Sequence, residues 1–272
     1  MGEPIAAETI EAATAGDRGA LSSIVRALQG RFYDLALRMR MDPSDAEEVT
    51  QEALLSVVTH LSEFRGESQF TSWAHRIAVN RILDEKRRGK RRPMLTFEAH
   101  AADLADGLDP SATESPEDAV LLAQVKVGCG RALLQCLDDD HRLAYVLGEI
   151  LELDGEVAAD IAGTSHATYR KRLSRARSRL HDALTERCGL VSPSAPCRCH
   201  RRLGRARELG RLDDSASGPP LVDLVQLRRT LADVDALRRA AVYFRADPAE
   251  SPTRDFTEVI RATLDSSSLR PS

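Results

Sequence analysis

Aromatic residues are scarce in this chain of 272 residues, and long apolar runs are missing. Phe, Trp and Tyr together make up 4% of the sequence, and no stretch approaches the roughly 20 apolar residues that a transmembrane helix needs. The first residues, MGEPIAAETI, lack the basic start and apolar core of a secretory signal. These absences argue against membrane and secreted proteins, so we expect a cytoplasmic, helix-rich protein without membrane contact.

Cysteine is also sparse and unevenly placed. The chain has five cysteines, an odd number, and three of them fall within residues 188–199. A disulfide framework would need spread and pairable cysteines, so this pattern favours the reducing cytoplasm.

Charge is segregated along the chain although the net charge is only -4. Residues 81–92 and 170–179 are strongly basic, whereas residues 93–125 contain no Lys or Arg. Two basic helical segments on either side of an acidic stretch predict two contacts with a polyanion, joined by a linker that stays off it.

Apolar spacing predicts an all-α fold. We expect two small helical domains, 18–92 and 118–186, after a lead-in over 1–17. An extended acidic linker, 93–117, joins them, and a partly helical extension, 187–272, follows. Within these, a Ser44–Glu47 capping box predicts one helix start, and one helix is expected over 221–246 with its apolar face at 224–237.

The segment LDGEVAADIAGTSHATYRKRLSRARSRL, residues 153–180, has the pattern of a helix-turn-helix. It offers small alanines where helices would cross, Gly163 at the turn and Ser165 as a cap. Polar and basic residues suited to the major groove begin the second helix, namely His166, Thr168, Arg170, Lys171 and Arg175. The alternative is a solvated basic helix in an ordinary bundle.

The earlier basic segment follows a helix that carries Trp73 and Asn80. An aromatic ring and an amide beside cations suit single-stranded DNA. Against this, Trp73 and Ile77 are four residues apart and fit a buried helix face equally well.

Three motifs together resemble the RNA polymerase sigma factors of bacteria, and specifically their extracytoplasmic-function (ECF) group. They are DAEEVTQEALLSVV, then EFRGESQFTSWAHRIAVNRILDEKRR, then, after the acidic linker, EVAADIAGTSHATYRKRLSRARSRL. The resemblance covers about residues 18–186. Two features depart from the usual pattern: CLDDDHRLAYVL lacks the common proline, and Ala158 and Ala162 replace larger aliphatic residues.

The resemblance implies a transcription initiation factor that binds core RNA polymerase and promoter DNA and is not an enzyme. It implies that the polymerase is bound by Asp45, Glu48, Gln51 and Glu52. It implies that the minus-ten element is opened and its flipped base held by Phe64, Arg65, Gly66, Ser68, Ile77 and Asn80, with phosphates at Arg81, Lys86, Arg87 and Arg88. It implies that the minus-thirty-five element is read by Arg170, Lys171, Ser174 and Arg175. The linker would occupy the RNA path.

The extension resembles, less specifically, the cysteine-containing C-terminal extensions by which some ECF factors sense metals or are regulated in cis. Its candidate cluster consists of Cys188, Cys197, Cys199 and His200. Four soft ligands suit zinc, although the spacing is tighter than usual zinc motifs. A thiol switch, with pKa values lowered by the neighbouring arginines, and a plain basic tail are the alternatives. No other cofactor is expected.

Two rival functions remain open at the level of sequence. A helix-turn-helix regulator that never joins the polymerase would not need the 45–92 block. A metal-dependent hydrolase would need a carboxylate and base near the cysteines, which are missing. We expect the extension to regulate the factor by packing on one or both domains, and we leave open whether a separate anti-sigma partner exists.

Overall fold

The computed structural model describes residues 5–88, 94–216 and 219–266, and their regular structure is helical. Apart from one isolated β-bridge, the regular structure of these residues consists of thirteen α-helices, two short 3-10 turns and one π-helical turn, which confirms the all-α prediction. The helices are α1 Ala7–Thr14, α2 Arg18–Arg38, α3 Pro43–Thr59, α4 Phe70–Arg88, α5 Phe97–Ala105, α6 Ala119–Gln135, α7 Asp139–Tyr145, α8 Gly155–Ile161, α9 His166–Arg187, α10 Cys199–Glu208, α11 Leu224–Asp233, α12 Ala236–Arg245 and α13 Phe256–Ser266.

The chain divides into two compact units that interleave along the sequence. Of the described residues, the first unit contains 5–88, 153–169 and 249–266. The second contains 94–152, 170–216 and 219–248. The extension beyond residue 186 therefore contributes to both units.

The first unit is built around α2, α3 and α4. Asp17 caps α2 by accepting a hydrogen bond of 2.7 Å from the Ala20 amide, which satisfies a free helix-start donor. The apolar residues of α2 and α3 recur at helical spacing and are buried against each other. The predicted capping box is wrong, because the N-cap of α3 is Asp42, two residues before Ser44, and no side chain caps this helix.

The last helix, α13, is part of this same core. Phe256 is fully buried and Ile260 is 2% exposed, both among side chains of α2 and α3. Full burial of a phenylalanine side chain stabilises a fold by about 1.5–3 kcal/mol. The C-terminal helix is thus held by substantial apolar packing.

The second unit surrounds α6, with α5, α10 and α11 packed on it. Asp138 caps α7 by accepting from the His141 amide at 3.0 Å. A short π-helical turn, Val146–Ile150, follows α7 and contacts α12.

Two expectations about this unit are wrong in detail. The acidic linker contains the helix α5, which Thr96 caps by accepting from the Ala99 amide at 3.0 Å. The single helix expected over 221–246 is two helices, because α11 ends at Asp233, Val234 is extended and Asp235 caps α12. Of the expected apolar face, Leu224, Leu227 and Leu231 are buried and Val234 is half-buried; the Leu237 side chain is outside the described set.

Candidate nucleic-acid interface and its internal partners

Helices α8 and α9 and the turn between them form the helix-turn-helix segment. Ala158 and Ala159 are buried, which matches the need for small residues on α8. Gly163 has φ +62, a left-handed conformation that favours glycine. The Ser165 hydroxyl accepts from the Thr168 amide at 3.2 Å, so the predicted cap of α9 is present.

The predicted DNA-reading residues of α9 are all exposed. They are His166, Thr168, Arg170, Lys171, Ser174 and Arg175. Within the part of the chain that the structure describes, Arg170, Lys171 and Arg175 have no ion pair or hydrogen-bond partner for their side chains. Unpaired cations on one exposed helix face are what a phosphate backbone requires.

Other arginines of α9 are engaged by the protein itself. Arg172 pairs with Asp140 at 2.5 Å, Arg177 pairs with Glu149, and the Arg179 guanidinium lies 4.8 Å from the centre of the Phe97 ring. Sequence alone did not separate these inward-bound arginines from the outward set.

The predicted minus-ten loop shows a packed aromatic group beside exposed polar residues. Phe64 is half-buried, with its ring 5.2 Å from Phe70 and 5.5 Å from Trp73. Arg65, Gly66 and Ser68 are exposed. Both Trp73 and Ile77 pack against the core, so the structural interpretation of Trp73 is confirmed.

The cations of α4 differ in solvent exposure and in their partners. Arg81 is half-buried and donates to the Ser56 hydroxyl at 2.9 Å. Arg87 and Arg88 are exposed and pair locally with Asp84 at 2.7 Å and Glu85 at 3.9 Å. Asn80 is exposed and Lys86 half-buried. Residues 89–92 of the predicted basic segment lie outside the described residues.

The predicted polymerase-binding residues line α3. Asp45 and Glu48 are exposed, whereas Gln51 and Glu52 are half-buried. Beside them, the Thr253 hydroxyl donates to Glu47 at 2.6 Å, and α13 contacts α3. The C-terminal segment therefore runs along the helix predicted to meet the polymerase.

The acidic linker is bound by arginines of the extension, an arrangement that was not predicted. Asp103 accepts two hydrogen bonds of 2.8 Å from Arg211 and pairs with Arg202 at 3.2 Å. Arg205 pairs with Asp106 at 2.6 Å. The hydrogen bonds from Arg211 hold the pKa of Asp103 below its usual value despite partial burial.

Glu114 provides a second attachment point for the extension. It pairs with Arg228 at 3.1 Å and lies 3.8 Å from His200 Nδ1. The signal for this arrangement is present in the sequence as two charge runs of opposite sign, 98–118 and 198–211.

Lys126 on α6 anchors the extension inside the second unit. Its side chain is fully buried, donates to the Tyr243 carbonyl at 2.6 Å and pairs with Asp247. The ammonium also lies 4.3 Å from the centre of the Tyr243 ring. Burial lowers the pKa of Lys126, and the Asp247 carboxylate opposes that shift.

The predicted cysteine–histidine set is not gathered as one group. His200 faces Glu114 and lines a small cleft with Arg198, Arg228 and Leu224. Among the described residues, no three or more His, Cys, Asp or Glu side chains are placed to hold a metal ion as they stand.

The electrostatic expectation for the thiols is also wrong. Burial raises the pKa of Cys197 to about 11, and the nearby arginines only reduce that shift. Burial likewise raises the pKa of Cys188 and Cys199. Reactive redox cysteines need lowered pKa values, so these thiols do not have the character of a switch.

Comparison with known proteins identifies the family. The Sigma-70 region 2 family matches residues 24–92. The sigma-H factor of RNA polymerase from Pseudomonas aeruginosa is 31% identical over 179 residues, which cover 65% of this chain and 92% of that protein. The ECF factor SigM of Mycobacterium tuberculosis is 31% identical, and the alignment covers 82% of that protein. The sigma-E factor of Escherichia coli is 30% identical, and the alignment covers 88% of it.

These matches, together with the helix-turn-helix, show that the chain belongs to the ECF group of RNA polymerase sigma factors. It is an alternative sigma factor, which acts in transcription initiation with core RNA polymerase and promoter DNA. A regulator that works without the polymerase is not favoured, because the region 2 match covers the segment it would not need. About a third of the chain lies outside each of these alignments. None of the described helices is long and apolar enough to cross a bilayer.

Proposed function

We propose that the C-terminal extension is a built-in inhibitor of this sigma factor. In this proposal the described residues 187–266 hold the acidic linker and both helical units until a signal releases them. The observation that carries it is the set of ion pairs from Arg202, Arg205 and Arg211 to Asp103 and Asp106. The factor works in the cytoplasm and catalyses no reaction of its own.

Charge supports inhibition rather than simple stabilisation. A linker that occupies the RNA path needs its carboxylates free, because the negative charge is what makes it resemble RNA. In the structure, Asp103, Asp106 and Glu114 are already bound by cations of the same chain. Release of the linker therefore requires that these pairs break.

The second support is the position of α13. This helix packs on α3, and Thr253 binds Glu47 next to the proposed polymerase-binding residues Asp45, Glu48, Gln51 and Glu52. A helix in this place can compete with a partner for the same side of α3.

The DNA contacts are assigned as follows in the proposal. The exposed face of α9 reads the minus-thirty-five element through Arg170, Lys171, Ser174 and Arg175, beside His166 and Thr168. The loop at 64–68, with Ile77, Asn80 and the cations Arg81 and 86–88, acts on the minus-ten element.

The test is transcription with reconstituted polymerase. The purified factor, core enzyme and fragmented genomic DNA are combined, and run-off transcripts are sequenced, which locates the promoters directly from the transcript ends. An Arg202→Ala/Arg211→Ala variant should give several-fold more transcript from the same promoters. An Arg229→Ala variant is the matched control, because Arg229 is exposed and has no side-chain partner among the described residues.

Equal or lower output from the double variant, with unchanged binding to core enzyme, would contradict inhibition by the extension. Failure of the wild-type chain and both variants to bind core polymerase would instead contradict the assigned role of α3.

A further inference from the structure

Helix α8 of the helix-turn-helix packs on α4, the helix that carries Ile77 and Asn80, and both helices belong to the first unit. A side-chain pair joins them, because Arg76 Nη1 donates to Asp160 Oδ1 at 2.9 Å. These two residues are 84 positions apart in sequence. The first helix of the helix-turn-helix therefore lies against the helix that is proposed to act on the minus-ten element.

Asp160 is fixed to the turn that leads into α9. Its carbonyl accepts from the Gly163 amide at 3.0 Å, which closes the end of α8 onto the turn. At the other end of α8, an added Cβ on Gly155 would come within 2.9 Å of His166 Nε2, at the start of α9. The start of α9 is therefore packed on α8, and a contact that holds α8 also holds the beginning of the reading helix.

Arg76 is fixed just as firmly on α4. Ala74 and Ala78, two positions to either side of it, are fully buried in the core of the first unit. Asn80 follows Arg76 by four residues, so the two exposed side chains share one face of the helix. Asp160 therefore binds a cation that is one helical turn away from the amide proposed to hold the flipped base.

A promoter requires much more distance than this contact allows. The two elements are named for positions about 25 base pairs apart, and at about 3.4 Å per base pair they are separated by roughly 85 Å of duplex. Helix α8 has 7 residues and is only roughly 10 Å long, so α9 begins far short of that distance from α4. Both elements can be read at once only after α8 has left α4.

The pair between the helices has the character of a contact that can open. The side chains of Arg76 and Asp160 are 52% and 59% exposed, so water screens their attraction. A carboxylate offers anionic oxygens to a guanidinium, as a DNA phosphate does. A phosphate can therefore replace Asp160 at Arg76 without leaving a buried charge behind.

We propose that the contact between α4 and α8 is a closed state of the factor, in which Asp160 occupies Arg76 in place of a DNA phosphate. In this state the helix-turn-helix is kept beside the minus-ten surface. Promoter binding opens the contact, and Arg76 then binds the DNA backbone. The inference rests on the proposed assignment of α4 and α9 to the two promoter elements, but not on inhibition by the extension.

The first experiment follows the distance between α1 and α8 in the full chain by single-molecule energy transfer. The dyes are attached at Glu11 and Glu156, which are exposed, through genetically encoded azides that leave the cysteines untouched. Wild type should show higher transfer when free than when bound to core polymerase and promoter DNA. In the free factor, Asp160→Asn should raise the low-transfer fraction several-fold.

The matched control is Glu63→Gln. Glu63 is an exposed carboxylate of the same unit, and its side chain has no partner among the described residues. Its replacement removes the same charge and should leave the transfer distribution unchanged.

A charge swap makes the test independent of how a single variant folds. Asp160→Arg sets two cations against each other and should open the free factor more than Asp160→Asn does. The double variant Arg76→Glu/Asp160→Arg restores the pair with its signs exchanged, so it should return the transfer distribution to that of wild type.

A second measurement tests the contact of Arg76 with DNA. In the holoenzyme, Arg76→Gln should lower the slope of log affinity for promoter DNA against log salt by about 0.7–0.9, the value for one phosphate contact. Asp160→Asn should leave this slope unchanged, because the promoter complex is already open.

Equal transfer in the free factor and in the promoter complex would overturn the closed state. So would a charge swap that leaves transfer as low as in Asp160→Arg. An unchanged salt slope in Arg76→Gln would overturn the phosphate contact. Unchanged transcription in Arg202→Ala/Arg211→Ala would contradict inhibition by the extension alone, since the transfer measurement on the free factor does not depend on it.

Discussion

Helices α9 and α10 are both rich in arginine, yet they use their cations in opposite ways. The exposed cations of α9, Arg170, Lys171 and Arg175, have no partner among the described side chains. In α10, Arg202 is 4% exposed and bound to the linker, and Arg205 pairs with Asp106. Both helices are rich in arginine, and the difference is that acidic residues of the linker lie against the cations of α10.

The comparison teaches that only those cations of a basic run that lack an acidic partner within the chain are left to bind a nucleic acid. Residues 98–118 are that partner for α10, and they lie about a hundred positions away in sequence. The following predictions test the distinction between cations bound within the protein and cations left for DNA, in decreasing order of effect on stability.

The largest effect is expected at Lys126, the most deeply buried of the bound cations. Asp247→Ala leaves its ammonium buried without a carboxylate, which costs about 3–5 kcal/mol in the free energy of unfolding. Chemical denaturation followed by circular dichroism measures this. Asp214→Ala is the control, because its pair with Arg207 is about half exposed and should be worth less than about 1 kcal/mol. Equal losses in the two variants would contradict the role of Lys126 as an anchor.

Next in size is Arg202. Arg202→Ala removes a buried donor to the Asp106 carbonyl and to Asp103, and should cost about 1–3 kcal/mol. Hydrogen exchange should show faster exchange of the amides of α5. The control, Arg229→Ala, should change stability by less than about 0.5 kcal/mol. Unchanged exchange in α5 would show that the linker is not held by α10.

The helices of the first unit were predictable from sequence, because their apolar residues recur at helical spacing over long stretches. Residues 18–38 and 70–88 are examples, and their apolar residues contribute to the core of the unit. The helix-turn-helix was equally clear, since Gly163 and Ser165 mark its turn by local chemistry.

The predictions that failed concern residues whose structure depends on contacts with segments far away in sequence. Residues 93–117 were predicted to be extended because they contain three prolines and are acidic. The helix α5 forms there nevertheless, stabilised by the Thr96 cap and by packing on α6. Neighbouring positions in sequence suggested that His200 joins the thiols, whereas in the structure His200 faces Glu114. Neither outcome follows from residues that are close in sequence, because each depends on contacts with a distant segment of the chain.

We expect the contribution of Asp103 to the free energy of unfolding to depend on pH. Its folded pKa is held below the ordinary 3.8 by Arg211, so its contribution to stability is present above that value and is lost as pH falls through the folded pKa. Wild type should therefore be more stable than Asp103→Asn at about pH 6, and the difference should shrink towards about pH 3. A constant gap for Asp103→Asn would show that the pair with Arg211 is not formed in solution.

The smallest effect on stability is expected where the effect on DNA is greatest. Replacing Arg170, Lys171 and Arg175 by Ala removes exposed, unpaired cations, so unfolding should shift by less than about 0.5 kcal/mol for each. Binding of the holoenzyme to duplex DNA should weaken, and the slope of log affinity against log salt should fall by about 0.9 for each lost phosphate contact.

Replacing Arg205, Arg207 and Arg211 by Ala removes the same charge from α10 and its flank. That control should leave the salt slope unchanged while lowering stability, because these arginines already have carboxylate partners. If both triple variants lowered the salt slope equally, the free and bound cations would be equivalent towards DNA, and net charge alone would explain binding.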